Sequence, residues 1–231
     1  MSLRRRQQLF LDAIEHSFSM AKIAYTRIVT YCRNDSSSDL GAKDDELVLD
    51  AWSFIDVLKR LRSALMKTPG LQHGTVLTEF LQATKSVVDF RDHHQHIEER
   101  IAKVAPSGRP IWGAFSWVVM EPGKNMFRIG AYLPGRVAET DNVPMANPAG
   151  REIRSEVDLF QITVGETTLH ISDMHYQLME FQEKFNFALS AAQPRAVPSG
   201  EEILAINLDS LHEQPIWQPA KAVPLTKHYS K

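Results

Sequence analysis

The sequence predicts an α+β fold: a bundle of about four helices carrying a four-stranded antiparallel sheet inserted before the last helix. Three observations carry that reading. Three long segments before residue 105 repeat apolar residues at helical spacing. Four runs rich in β-branched and aromatic residues then fall between about 110 and 171 as two turn-separated pairs. A final amphipathic stripe closes the order after the sheet.

The first helix is predicted over Arg5 to Arg33, with Phe10, Ile14, Phe18, Ala21, Ala24, Ile28 and Tyr31 on one stripe. It stops at "NDSSSDLGAKDD", a stretch dense in turn formers. A second helix, about Asp45 to Lys67, shows Leu47, Ala51, Phe54, Ile55, Leu58, Leu61 and Leu65 on one side, and Pro69 and Gly70 end it. The third is predicted as one rod from Thr75 to Val104, closed by "APSGRP". "IWGAFSWVVM" and "NMFRIGAYL", separated by "EPGK", read as a hairpin. "VDLFQITV" and "TTLHI" flank "GE", a two-residue turn with glycine first. Ser172 or Asp173 is the expected cap of the last helix, whose stripe is Met174, Leu178, Phe181, Phe185 and Ala188. One domain is therefore expected over residues 1–192, with the β insertion at about 110–171. Residues 193–231 are expected as an extended, proline-containing tail with one short element near Glu201 to Leu211.

Composition excludes several function classes. A formal net charge of −2 over 231 residues offers no global attraction to nucleic acid, so any phosphate binding must come from a local patch. One cysteine, Cys32, permits neither an internal disulfide nor a multi-cysteine zinc site and fits a reducing compartment. No apolar stretch approaches the ~20 residues of a membrane span, and Asp12 and Glu15 interrupt the only signal-like run. A cytoplasmic protein without membrane contact is expected.

The densest chemistry is "VVDFRDHHQHIEERI", Val87 to Ile101. On an ideal helix at about 100° per residue, Phe80, Ala83, Val87, Phe90, His94, Ile97, Ile101 and Val104 share one stripe, which places His94 at the edge of the core. Asp92, His96 and Glu99 lie on nearly the opposite face, close to the line of Leu77, Leu81 and Val88. Apolar residues on two sides predict that the outer face meets another helix or a second subunit, the latter a homodimer with Asp92, His96 and Glu99 at the rim of a shared groove. Arg91 stands about 140° from His96 on such a helix, so a twofold axis is one way to bring the two groups together. A neutral-range imidazole can take up or give back a proton. A guanidinium can clamp an anionic group and offset its charge.

Arg91-x4-His96 and the run "RDHHQHIEERI" resemble the Arg-x4-6-His motif of HEPN domains, helical bundles of which many are dimeric ribonucleases or nucleotide-binding modules. The resemblance covers the helices, roughly residues 1–105 and 173–192. It implies a metal-independent endoribonuclease, or an RNA- or nucleotide-directed protein, with Arg91 and His96 catalytic. Asp92 follows the arginine where a polar residue is usual, and Glu99 lies beside the pair as a supporting group. No cofactor and no metal is implied.

Two other function classes compete with this one. A non-catalytic protein-interaction module needs only the bundle and sheet as a scaffold. A metal-dependent hydrolase would use the clustered histidines, since His94 with Glu98 and Asp92 with His96 have i,i+4 ligand spacing. However, no Glu-x-x-His, as carboxylate-bridged bundles use, occurs in the chain. "LHISDMH" sets His170, Asp173 and His175 at a strand-to-helix turn as a second possible cluster, with Asp173 expected to be simply the cap. Trp112, Phe115 and Trp117 are expected in the core rather than as a base-stacking platform. Arg4, Arg5 and Arg6 read as a solvated helix start.

Overall fold

A computed structural model describes residues 1–34, 42–95, 101, 110–121, 126–135 and 144–209, with backbone alone at 42–44 and 93–95. Five named helices are described: α1 Leu3–Asn34, α2 Ala42–Lys67, α3 Thr75–Ala83, α4 Ser86–Gln95 and α5 Ile171–Ser190. The strands are β1 Ala114–Glu121, β2 Met126–Tyr132, β3 Val157–Val164, β4 Thr167–His170, β5 Gln193–Ala196 and β6 Glu202–Ala205. β1 to β4 form one antiparallel sheet in the order β2-β1-β3-β4, inserted before α5 as the hydropathy pattern predicts.

The helical stripes become the core. Ile14, Phe18, Ala21, Ala24 and Ile28 of α1 meet Leu47, Ala51, Phe54, Leu58, Leu61 and Leu65 of α2 in one continuous cluster. α5 contributes Met174, Leu178, Phe181, Phe185 and Ala188, the whole predicted stripe. Phe181 stacks on Phe80 of α3 with ring centroids 4.1 Å apart. The inner face of the sheet, Phe115, Trp117, Val119, Val157, Phe160 and Ile162, completes the cluster. No described helix is long and apolar enough to cross a membrane.

The single rod expected from Thr75 to Val104 is broken at Thr84–Lys85 into α3 and α4, and 96–100 and 102–104 lie outside the described residues. Thr84 is fully buried, and its hydroxyl turns back to donate to the Phe80 carbonyl at 2.7 Å. The Arg62 guanidinium of α2 binds the Leu81 carbonyl and the Thr84 hydroxyl, drawing both away from continued helix. The break shifts the phase of the helix faces. Ala83 is exposed and Leu77, expected on the outer flank, has no solvent exposure. Leu81 and Val88 are partly buried.

Two further expectations change. The N-cap of α5 is His170, without a side-chain cap bond, and neither Ser172 nor Asp173 caps. Ser172 instead bonds Tyr25, and Asp173 pairs with Arg151 and Arg154. The segment after α5 begins as a β5–β6 hairpin rather than a single short element. Gln7 of α1, 3% exposed, holds this hairpin: its amide donates to the Pro69 and Leu204 carbonyls and accepts from the Leu204 N–H. Ile206 then bridges Leu71 in parallel, and Asp209 accepts from the Thr75 and Val76 N–H groups at the start of α3.

Candidate functional site

Arg91 projects from α4 onto α2. Its Nε and Nη2 both lie 3.0 Å from Asp56 Oδ1, and its side chain keeps 24% of its exposure. Asp56 also takes Arg60 through its other oxygen at 2.6 Å. Asp92, one residue on, is paired with Lys59 of α2 and keeps 52% of its side-chain exposure. The α2–α4 seam thus alternates charges, and Trp52 stacked on Phe90 closes it from below at 5.4 Å. His93 and His94 lie on the backbone of α4, but their side chains, and all of His96 and Glu99, lie outside the described residues. Arg91 is therefore placed, and its expected catalytic partner is not.

The "LHISDMH" turn forms a second polar centre of a different kind. Asp173 accepts from Arg151 Nη2 at 2.8 Å and from Arg154 Nη2. Burial alone would raise the Asp173 carboxyl, but the bonds and charges of Arg154 and Arg151 outweigh it and hold the group below its ordinary range. Arg154 lies 3.7 Å over the Tyr176 ring, and Tyr176 shares a 2.9 Å hydroxyl bond with Ser155. Ser172, 1% exposed, accepts from Tyr25 Oη at 3.0 Å and from the Phe160 N–H at 2.9 Å. Burial pushes the Tyr25 phenol far up, and the Ser172 bond only partly opposes it. His175 stacks flat on Tyr25 at 3.7 Å, and burial, then the charge of Lys22, pushes it down to about 4. His170, Asp173 and His175 do not gather around a common point. Among the described residues no three His, Cys, Asp or Glu side chains could share a metal ion.

The outer face of the sheet is where the sequence is most at odds with a simple core. Ser116, Gln161 and Thr163 are 1%, 6% and 3% exposed, although all three are polar. Antiparallel register aligns Ser116 with Gln161 and Gln161 with His170, and Thr163 with Thr168. The segment after Pro144 covers this strip: Gln161 Nε2 donates to the Pro144 carbonyl at 3.1 Å, and the Ala146 N–H donates to Ser116 Oγ at 2.9 Å. Beside it β3 carries one extra residue opposite β1, between Ser116 and Val118. Leu159 in that bulge has φ +53°, the left-handed region that costs a side-chain-bearing residue roughly 1–2 kcal/mol. The Asp158 carboxylate, fully buried, offsets part of that cost by accepting from the Leu159 and Arg154 N–H groups.

Between this strip and the covering segment lies a cleft of about 240 Å³ lined by Pro144, Met145, Asn147, Arg151, Leu159, Gln161, Thr168 and His170. Of these only His170 attracts notice in the sequence. Gln161 was legible in principle, because a glutamine inside "DLFQIT" must find buried amide partners if that run is a central strand. The aromatic strand offers no stacking surface: Phe115 and Trp117 are 0% and 1% exposed, and Trp112 precedes β1. Compared with known proteins, the chain matches no family model, no curated protein and no solved structure.

Proposed function

We propose that the chain is a HEPN-like RNA- or nucleotide-directed protein, acting as a metal-independent endoribonuclease through Arg91 and His96. The observation that supports it is the hold of Asp56 on Arg91. A guanidinium has five N–H donors, and the Asp56 carboxylate at its Nε edge sets its plane, while Arg60 on the same carboxylate leaves two cations against one anion and so a positive excess for a phosphate. Pre-orientation of this kind is what charge stabilisation during phosphoryl chemistry requires. His96, five positions on, supplies the proton transfer in this scheme. Purified protein should cleave single-stranded RNA with chelator present. Arg91→Ala and His96→Ala should each slow cleavage by about 10²-fold or more, with melting temperature recorded to separate chemistry from folding. Asp56→Asn should slow cleavage less than Arg91→Ala. A broad RNA panel left intact, or variants as fast as the parent, would sink the nuclease reading.

A homodimer, and with it the interaction-module reading, draws support from β2. Among the described strands it is an outer edge of the sheet, and its Met126, Phe127 and Ile129 are 59%, 51% and 44% exposed. Long apolar edges invite pairing. Two copies related by a twofold axis through Ile129 would set Phe127 against Ala131 and Arg128 against Gly130, so large residues meet small ones and the arginines never face each other. With Leu77 inside the core, this edge replaces the helical flank as the proposed dimer contact. Light scattering should give twice the chain mass for the parent and the single mass for Ile129→Lys. A parent chain that stays monomeric at high micromolar concentration ends the dimer proposal.

A further inference from the structure

We infer that the cleft between the 144–151 segment and β3–β4 is a binding site for a small uncharged heterocycle bearing both N–H donors and carbonyl or ring-nitrogen acceptors, a nucleobase being the simplest example. Size is the first ground. A cleft of about 240 Å³, just under the ~300–1,000 Å³ of drug-sized ligand pockets, is on the scale of one heterocyclic ring system rather than of a chain segment. Lining chemistry is the second. Gln161 Nε2 gives one N–H to the Pro144 carbonyl and Asn147 Oδ1 accepts from the Ala149 N–H, which leaves each carboxamide a second N–H and an oxygen lone pair for a lactam or amidine edge. Met145 and Leu159 supply apolar surface for the ring.

Charge is the third ground, and it decides against a free anion. Arg151 borders the cleft, but Asp173 neutralises it at 2.8 Å. Arg154 and the buried Asp158 form the next pair, so two cations are matched by two anions. An anionic ligand would find no excess positive charge here, whereas a neutral ligand with matched hydrogen bonds loses nothing. The floor is also pre-formed: Gln161 is held by the Pro144 carbonyl, and Leu159 is fixed in the bulge by the bond from its N–H to the Asp158 carboxylate. This inference goes beyond the Arg91 chemistry and does not depend on it.

The test is titration calorimetry of the full chain with uracil, cytosine and adenine nucleosides, and with inorganic phosphate and acetate as anion controls. At least one nucleoside should bind saturably, one per chain, while phosphate and acetate do not. Gln161→Met keeps the volume and removes the amide; Thr168→Trp fills the cleft from a half-buried strand position. Each should weaken binding at least tenfold, with Thr168→Trp serving should Gln161→Met fold poorly. Arg91→Ala should leave nucleoside binding unchanged, whatever it does to RNA cleavage. Absence of nucleoside binding at millimolar concentration, binding of the anions instead, or affinity indifferent to both cleft variants would each overturn the assignment.

Discussion

His175 shows how a residue's surroundings set its chemistry. Its ring lies against Tyr25 with planes 9° apart, Tyr176 meets it edge-on at 5.7 Å, and its Nδ1 has no hydrogen-bond partner among the described residues. Burial first, and the Lys22 charge second, depress its pKa to about 4, against about 6.5 in an unfolded chain. Between those values the unfolded chain binds the proton and the folded one does not, so stability falls as pH drops from about 6.5 to about 4. Above that window the contribution is fully present; below it both states are protonated and no further loss occurs. Since the ring is partly exposed, the loss should be on the order of 1–2 kcal/mol. Melting temperature measured from pH 7 to pH 4.5 should decline, and His175→Phe should flatten that decline. An unchanged slope in the variant would place the pH sensitivity elsewhere.

The elements are bounded by contacts that no local pattern contains. α3 and α4 are separate because Arg62, on another helix, takes the carbonyl and hydroxyl at the junction. Burial lowers the Arg62 pKa, with Asp89 opposing; its hold on two oxygens is what makes that burial tolerable. In the sheet, the β1–β2 pairing depends on Gly130, which faces Trp117 in register. A Cβ at Gly130 would lie 2.3 Å from the Trp117 ring. Trp117 cannot withdraw, being packed on Phe160 and Tyr31. Gly130→Ala should therefore destabilise by about 1–3 kcal/mol, the usual range for overpacking, read as a lower denaturant midpoint. A variant as stable as the parent would mean that the strand can shift away from the indole.

At the scale of the described molecule, segments far apart in sequence close on each other. Gln7 binds β6, and Asp209 caps α3, whose own N-cap, Gly74, has no side chain to do so. Asp209→Ala should cost about 1 kcal/mol, within the 0.5–2 kcal/mol of lost N-caps. Gly74→Ala should cost more, since its Cβ would fall 1.7 Å from the Asp209 carboxylate. In the Asp209→Ala background the same glycine change should cost less, and denaturation of the four proteins measures that coupling. Strict additivity would show that the carboxylate and Gly74 do not meet in solution.

The fold class was readable because it depends on period. Apolar residues every three to four positions must share a helix face, and the α1, α2 and α5 stripes are buried together as predicted. The two strand pairs were readable from runs of β-branched and aromatic residues around turn formers, with Gly165 at φ +57° in the second turn. The candidate site was only partly readable. Arg91 stood out by composition, but its pairing with Asp56 joins residues 35 apart in sequence. Thr84 has an ordinary sequence context, and only a guanidinium arriving from α2 turns it into a break. Gln161, Asn147 and Arg151 belong to no motif; register across β1, β3 and β4, together with the covering 144–151 segment, brings them to one cleft. Sequence by itself determined which faces are apolar, because burial follows local periodicity. Tertiary structure alone decided where helices break and which polar groups converge, because those depend on partners that only the folded chain brings within hydrogen-bond reach.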